Sequence, residues 1–559
     1  MQLYINQFYL IDEHLQWFME KFDNQNLFVV GGIVRDILLG KKKDIIDIDL
    51  TTAGNPDDIW SRIQNKATSD ISIFRTEKFG TMSIVRDTIK YEITPFREES
   101  GYSDMRHPDQ IVWSNDLVKD AGRRDFTINA LYYSGVNHAM YGGSLSGGGI
   151  DSTYTDGYDI DSNMLKSGWL VVGTVLIIQD HDMISKLLPD GKFDYQSFVD
   201  LGNKIGYNSK AISGIIRDPY GGIQSLIDET IKCVGIPDHR FLEDPLRILR
   251  AIRFQNTLNF DPDLGVQFDY EKGTRLGMKK YYYLVKTLSK ERLHDEVKKV
   301  FSGPNPFGYI AVLDELNLIK SLFPNITFLK HLDQPIRYHP FDVYTHSLLA
   351  LHHLQSINTS YLVRLGMLYH DVGKSEQYYT HSFGLSNDDR SFIYGGRLNH
   401  VNCGQDMVRK DLELIGFSNK EIDEVVRYVA KHMKPGEILM SKPDNWTKKL
   451  RELYAEGGYE WTRNLLDICK GDRRGHFNPI QRSSMKDVDQ LYVLLDNLRD
   501  SEGQFTMSKL AINGQDIMQE FHLEPGKNIG ELLKKAYERV MEDVVDRNDK
   551  TKIITWLHT

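Results

Sequence analysis

The sequence predicts an α+β N-terminal part followed by an all-α remainder, and three observations carry that reading. Strand-like runs (NLFVV, DIIDIDL, TMSIVR, IKYEITPF) mix with helix-like ones such as NPDDIWSRIQNK over residues 1–133. A Gly/Ser/Asp-rich stretch, MYGGSLSGGGIDSTYTDGYDIDSN, then changes the texture, and long helical patterns dominate from about residue 216 onward. On pattern alone the first 133 residues fit either α/β or α+β. A chain of 559 residues is too long for one ordinary core, so several domains are expected.

Composition bounds the class. Hydrophobic residues at 41%, aromatic at 11% and charged at 26% describe a globular protein and exclude wholesale disorder. A net charge of −10 argues against coating nucleic acid by bulk electrostatics, while leaving room for a local basic face. Cys233, Cys403 and Cys469 are too far apart for a paired zinc or disulfide spacing. The N-terminus lacks a basic start with an apolar core, and no run of about 18 apolar residues occurs. A soluble, cytoplasmic protein with no membrane partner is expected.

Taken in order, the first element is the strand LFVV, followed by Gly31 and Gly32. These glycines let the backbone turn tightly toward a ligand, and IVRDILL, with Arg35, can start a helix whose free N–H groups face an anion. The same glycine pair also fits a plain turn. Lys41 to Lys43 follow as a solvated basic turn between helix and strand. Asp47 and Asp49, at i and i+2 of a β-rich run, project from one face of a strand. Such a pair suits a divalent ion such as Mg2+ and two-metal phosphoryl transfer, or else a solvated strand edge. Glu92, in KYEITPFREE, is placed to bring a third carboxylate to the same point. In GRRDFTINALYY, Arg123, Arg124 and Asp125 precede Asn129 at helical spacing, a cluster able to hold a triphosphate or sugar hydroxyls.

Residues 134–215 read as an insertion with a strand-like WLVVGTVLIIQD. Its last part, FVDLGNKIGYNSKAISGIIRD, has Gly206 at a turn position and Ile205, Ile212 and Ile215 at core positions, as in a helix-turn-helix or a simple helical hairpin. The insertion is expected to leave the domain at its surface. In EDPLRILR, Glu243 and Asp244 precede Arg247 and Arg250, with Asp244 and Arg247 expected at i, i+3 on one helix face.

Residues 339–375 place His370 beside Asp371, with His346 about two dozen residues upstream; His400, His432 and Asp472 stand downstream. Histidines and carboxylates on separate helices suit a transition metal or Mg2+ that promotes phosphoester hydrolysis. The tail places Pro525 and Gly526 before a helix start at about Ile529, where N–H groups and Lys527 could clamp an RNA phosphate or simply cap the helix.

In chain order, GGIVRDILLG, DIDLTT, EITPFR, RRDFTINALYY, DPYGGIQSLID, RFLEDPLRILRAIRF and SKERLHDEV resemble the successive motifs of the class II tRNA nucleotidyltransferase and bacterial poly(A) polymerase family. The pattern H…HD…D resembles the HD phosphohydrolase superfamily, a domain that several tRNA nucleotidyltransferases carry. The resemblance implies a nucleotidyltransferase head with a mixed sheet (1–133), the insertion (134–215), an all-α neck (216–335), an HD body (336–480) and a tRNA-binding tail (481–559). It implies that Asp47 and Asp49 hold Mg2+ with Glu92 beside them, and that Gly31, Gly32 and Arg35 meet the triphosphate. Asp244 and Arg247 would read the base, since cytosine and adenine share an amino donor beside a ring-nitrogen acceptor. His346, His370, Asp371 and Asp472 would hold a divalent metal (Mg, Mn or Ni), with His400 and His432 at a second metal or on phosphate. The implied activity is addition of C, C and A to tRNA from CTP and ATP, with hydrolysis of phosphate monoesters or 2′,3′-cyclic phosphates at damaged RNA ends. A poly(A) polymerase, a partial CC- or A-adding enzyme, and an RNA-end phosphohydrolase with a tRNA-binding head are the alternatives.

Overall fold

A computed structural model describes every residue except 1, 5–7, 23–26, 42–46, 77–79, 102–107, 136–157, 160–168, 173–174, 189–194, 205–213, 262–263, 333–339, 377–399, 477–484 and 502. The chain forms two compact units, Met1–Leu288 and Ser289–Thr559. The first is α+β and the second all-α, in line with the expected fold class.

The first unit is built on a nine-stranded mixed sheet. Its strands are β1 (Leu27–Val30), β2 (Asp47–Thr52), β3 (Ile71–Thr76), β4 (Thr81–Arg86), β5 (Ile89–Pro95), β6 (Tyr132–Gly135), β7 (Trp169–Val172), β8 (Val175–Ile178) and β9 (Gly214–Arg217). They lie in the order β7-β8-β9-β6-β1-β2-β5-β4-β3. The pairs β2/β5 and β8/β9 are parallel and the others antiparallel. Around the sheet stand α1 (Tyr9–Phe22), α2 (Gly32–Leu38), α3 (Pro56–Lys66), α4 (Leu117–Gly122), α5 (His181–Leu187), α6 (Tyr195–Lys204), α7 (Gly222–Ile227), α8 (Pro237–Glu243) and α9 (Leu246–Asn259). Local chemistry sets their starts: Asn55 caps α3 by accepting from the Asp57 N–H at 2.8 Å, and Asp116 caps α4 through Val118 N–H at 2.8 Å.

The insertion does not simply leave at the surface. Its strands β7, β8 and β9 extend the sheet beyond β6, and Leu176, Ile178, Ile184, Leu187, Phe198 and Leu201 pack into one core with Phe28, Val30, Phe96 and Tyr132. The all-apolar VLII of β8 explains this, because a strand buried on both faces must be covered on both. Ile215 accordingly sits on β9, fully buried, rather than on a second helix of a helix-turn-helix. Gly206, Ile205 and Ile212 lie outside the described residues, as do Lys42 and Lys43. Lys41 is paired with Asp261 at 3.1 Å and so is not a free part of a basic turn.

The stretch expected as one neck over 216–335 is divided, its first part belonging to the first unit. Backbone pairing explains the division: Phe126 bridges Cys233, and Val234 joins the sheet core.

The second unit carries α10 (Val343–Gln355), α11 (Tyr361–Tyr369), α12 (His400–Ile415), α13 (Asn419–Lys431), α14 (Tyr459–Gly475), α15 (Met485–Ser501) and α16 (Lys527–Val540), with shorter helices between them. Helix α10 packs along α14, and α13 packs on both α11 and α12. A separate small core of Phe505, Leu510, Ile517, Ala536 and Val540 lies in the C-terminal part. Among the described residues, no helix is long and apolar enough to cross a membrane.

Candidate active sites

Strand β1 delivers the chain to Gly31, whose φ of +83° favours glycine. A Cβ at Gly31 would sit 3.6 Å from Asp49 Oδ2 and 3.9 Å from Arg124 Nη1, so the turn passes directly over the second aspartate. The alternation of β2 buries Ile48 and Leu50 and leaves Asp47 and Asp49 exposed on the opposite face. On the adjoining strand, Glu92 is the register partner of Asp49 and Lys90 that of Asp47, and Lys90 forms an ion pair with Glu92. Surrounding protein, Glu92 and Asp47 push the Asp49 carboxyl above its ordinary value, against the pull of Arg124. Asp47, Asp49 and Glu92 thus crowd three hard-oxygen donors of like charge onto neighbouring strands, the donor type a divalent cation takes.

An arginine wall stands beside these carboxylates. Arg35, buried on α2, donates to Asn129 Oδ1 at 2.7 Å; Asn129 donates to Asp125 Oδ1 at 3.2 Å; and Arg250 on α9 pairs with Asp125 Oδ2 at 2.7 Å. Phe254, one turn beyond Arg250, has Arg35, Arg250 and Arg253 over its ring at 5.4, 5.3 and 4.5 Å. Arg123 donates to Asp120 at 2.8 Å, and Arg124 donates to Tyr132 Oη at 2.8 Å, whose hydroxyl in turn donates to Asp120 at 2.7 Å. Burial works against the charge on Asp120, but Arg123 and Arg124 outweigh it and hold the carboxyl below its ordinary value. Sequence reading missed Asp120 and Phe254. The signal for Phe254 lay in RAIRF, which puts Arg250, Arg253 and the ring on adjacent turns of one helix.

Asp244 and Arg247 do not share a helix face. Helix α8 ends at Glu243, Asp244 is extended at φ −149° and ψ 98°, and α9 begins at Leu246. Pro245 is the cause, because its ring disfavours helical backbone at the residue before it. Asp244 accepts from the Leu246 N–H at 3.0 Å, while Arg247 donates to Glu243 at 2.8 Å. Arg240 donates to the carbonyls of Arg123 and Arg124 at 2.7 and 3.1 Å, tying α8 to the RRD segment.

In the second unit, His346, His370, Asp371, His400, His432 and Asp472 lie in one cluster, joined by His476 and Lys374, which sequence reading did not single out. His370 Nε2 lies 3.3 Å from His346 Nε2 and 3.3 Å from Asp371 Oδ2, and His346 Nε2 lies 2.9 Å from Asp472 Oδ1. The other oxygen, Asp371 Oδ1, faces His400 at 3.6 Å and His432 at 3.8 Å. Asp371 thus presents one oxygen to each of two ligand groups. His370 Nδ1 and His432 Nδ1 donate to the carbonyls of Met367 and Val429 at 2.8 and 2.7 Å, which turns each Nε2 toward the cluster. The buried Nε2 atoms of His400 and His432 have no hydrogen-bond partner among the described residues.

His370, His432 and His476 are the C-terminal caps of α11, α13 and α14, so three helix ends with negative partial charge meet at the cluster. Burial opposes charge on His370, but Asp371 and Asp472 outweigh it and push the imidazole up to about 10. Burial lowers His346 and His432, and takes His400 to about 3. Three neutral imidazoles beside two ionised carboxylates form a donor set that fits a divalent metal.

In the tail, α16 begins at Lys527, two residues before the expected Ile529, with Gly526 as its cap. The Lys527 side chain is 92% exposed.

A glycine turn over a two-aspartate strand, walled by arginines and set on a mixed sheet before an all-α region, defines a nucleotidyltransferase head with helical C-terminal domains. Family comparison agrees: residues 27–147 match the poly A polymerase head domain, 267–329 a "Probable RNA and SrmB- binding site of polymerase A", and 398–557 tRNA nucleotidyltransferase domain 2. In these three segments the chain is similar to the poly A polymerase and tRNA nucleotidyltransferase families. It is 22% identical to the CCA-adding enzyme of Staphylococcus aureus (strain MRSA252) over 540 residues, 95% of this chain and 93% of that one. The match to the CCA-adding enzyme of Staphylococcus epidermidis is 26% over 337 residues, covering 59% of this chain and 60% of that protein's length. In fold it is similar to the crystal structure of the Bacillus stearothermophilus CCA-adding enzyme in complex with CTP, with a TM-score of 0.55, 20% identity, and coverage of 100% and 98% of the two chains.

Proposed function

We propose that the chain adds C, C and A to the 3′ end of tRNA from CTP and ATP without a nucleic-acid template. The observation that carries this reading is the Gly31 turn lying over Asp49, with Glu92 in register on the next strand and the Arg35–Asn129–Asp125–Arg250 chain alongside. Asp47 and Asp49, with Glu92, would hold divalent cations, Mg2+ by the hardness of the donors, which supply charge neutralisation for phosphoryl transfer. Arg35, Arg124 and Arg250 bind the triphosphate, with the Gly31 and Gly32 backbone close to it, so that pyrophosphate leaves toward positive charge as the RNA 3′-hydroxyl attacks the α-phosphate. Arg123, held by Asp120, and the Asp125–Asn129 pair set the shape of that pocket.

Asp244 and Arg247 read the base. A carboxylate accepting from the exocyclic amine and a guanidinium donating to the ring nitrogen accept C and A, and leave U and G with mismatched edges. Relatives named as CCA-adding enzymes support this substrate choice. Lys527 and the start of α16 are assigned to an RNA phosphate.

A second reading concerns the His/Asp cluster. Asp371 offers one oxygen to His346 and His370 and the other to His400 and His432, so the two groups would each hold a divalent cation with Asp371 as a ligand in both. A divalent cation bound there supplies a Lewis-acid centre for phosphoester hydrolysis, and Lys374, 2.6 Å from Asp371 Oδ2, adds positive charge for a phosphate. Hydrolysis of phosphate monoesters or 2′,3′-cyclic phosphates would prepare damaged RNA ends for the head.

The deciding assay gives a tRNA lacking its CCA end to the full chain with CTP, with ATP and with both. Addition of CCA only with both nucleotides is expected. A long A tail would identify a poly(A) polymerase, and termination at CC or A a partial enzyme. Retention of both a terminal and a cyclic phosphate on RNA ends, with divalent metal present, would refute the hydrolase reading alone.

A further inference from the structure

The residues of the His/Asp cluster form three overlapping ligand groups: His346, His370 and Asp371; His346, Asp472 and His476; and Asp371, His400 and His432. The first two share more than a residue. His346 turns the same atom, Nε2, toward Asp472 Oδ1 at 2.9 Å, toward His370 Nε2 at 3.3 Å and toward Asp371 Oδ2 at 3.9 Å. One imidazole nitrogen has one lone pair and binds one ion, so these two groups describe a single metal position. Asp472 Oδ1 also lies 3.6 Å from His370 Nε2 and 3.2 Å from His476 Nε2. Two donors about 2.1 Å from a common ion and at right angles lie about 3 Å apart, close to the spacing of the His346–Asp472, His476–Asp472 and His346–His370 pairs at 2.9, 3.2 and 3.3 Å.

We propose that His476 is a fifth protein ligand of this metal, giving a three-histidine, two-carboxylate site from His346, His370, His476, Asp371 and Asp472. The proposal rests on the hydrolase reading of the cluster and deepens it. Helix packing supports it independently. Asp472 and His476 stand one turn apart at the end of α14, and Gly475 between them abuts α10: a Cβ there would lie 3.0 Å from Ala350 N and 3.2 Å from Ala350 Cα. Ala350 is one turn after His346, so this close approach of α14 to the α10 backbone sets His476 against His346, with ring centroids 4.6 Å apart.

Five protein ligands leave one position of an octahedron open. Such a site favours Mn2+, Fe2+, Co2+ or Ni2+, which accept six ligands, over Zn2+, which prefers four. A histidine that only hydrogen-bonds Asp472 would leave four protein ligands and no such preference.

The test is Co2+ and Zn2+ binding to the full-length chain and to His476→Gln, which keeps a hydrogen-bond donor for Asp472 but no imidazole. Expected are a weak, five- or six-coordinate Co2+ absorption in the parent, a several-fold stronger, four-coordinate-like one in His476→Gln, and about 100-fold or greater loss of Co2+ affinity at this site with Zn2+ less affected. An unchanged spectrum and affinity in His476→Gln, with Co2+ binding lost in His370→Ala, would overturn the fifth ligand while leaving the metal cluster intact. Failure of the parent to bind either metal would overturn the cluster reading and the fifth ligand together.

Discussion

Arg247 Nη1 donates to Glu243 Oε2 at 2.8 Å, so the guanidinium assigned to base reading is held by the carboxylate one residue before Asp244. The same oxygen pairs with Arg240 at 2.7 Å, and Arg247 also donates to the carbonyls of Arg240 at 2.9 Å and Arg123 at 3.2 Å. The plane of the guanidinium is therefore fixed by the protein, and base choice should depend on Glu243 as well as on Arg247. Replacing Arg247 with Ala should cut the preference for CTP and ATP over UTP and GTP by roughly 10- to 100-fold, the worth of one well-placed base contact. Glu243→Gln should erode it less, by about 10-fold, since the backbone acceptors remain. Single-nucleotide incorporation with each of the four triphosphates reads both effects, and unchanged selectivity in Arg247→Ala would remove this arginine from base reading.

The two metal-fitting clusters lie on separate compact units, so their activities should separate cleanly. Asp49→Asn should lower nucleotide addition by about 1,000-fold, the loss of several kcal/mol of charge stabilisation, and leave phosphatase activity on RNA ends unchanged. His370→Ala should do the reverse. Loss of both activities in either variant, with folding intact by circular dichroism, would contradict independent sites.

Asp411 on α12 is fully buried and accepts from Tyr369 Oη at 3.0 Å and from Asn325 N and Nδ2 at 3.1 and 2.7 Å. Burial outweighs these bonds and raises its carboxyl to about 7. The unfolded chain gives up this proton near pH 4, whereas the folded chain keeps it to about 7. The contribution to stability is therefore fully present below about pH 4 and is lost as pH rises through 7. Asp411→Asn cannot titrate. Between pH 5 and pH 8 the stability difference should shift by about 2 to 3 kcal/mol in favour of the variant. Urea unfolding of both proteins at the two pH values measures this, and a constant difference would show that Asp411 is ionised in the fold.

Much of the head was legible because its signals are local. The alternation in DIDL places Asp47 and Asp49 on one face whatever lies around them, and a glycine pair after an apolar strand marks the turn at Gly31. The partners of these elements were not legible. Period tells which face of a strand is buried but not which strand it pairs with, so VLII was readable as a strand while its place beside β9 was not. Asp120 looked like any solvated acid in LVKDAGRRD; only folding puts it under Tyr132, Arg123 and Arg124. The break at Asp244 was a local signal in plain view, since Pro245 follows it. His476 sat four residues after Asp472, a spacing that puts both on one helix face, and it was hidden only by the familiar H…HD…D pattern.

Gly373, two residues after Asp371, lies where the chain leaving α11 meets the start of α12. A Cβ there would fall 1.9 Å from the carbonyl oxygen of His400 and 2.6 Å from Gly404 N, and both obstacles are backbone. Gly373→Ala must therefore push the first turn of α12 away. His400, 3.6 Å from Asp371 Oδ1, rides on that turn, whereas His346, His370 and Asp472 stand on α10, after α11 and on α14. The substitution should cost about 1 to 3 kcal/mol in overpacking and abolish metal binding by the proposed group of Asp371, His400 and His432, leaving binding by the His346 group in place. Metal content after dialysis should fall from about two ions per chain to one, with nucleotide addition unaffected. Two ions retained in Gly373→Ala would mean that His400 is not a ligand, and that the second ligand group must be drawn without it.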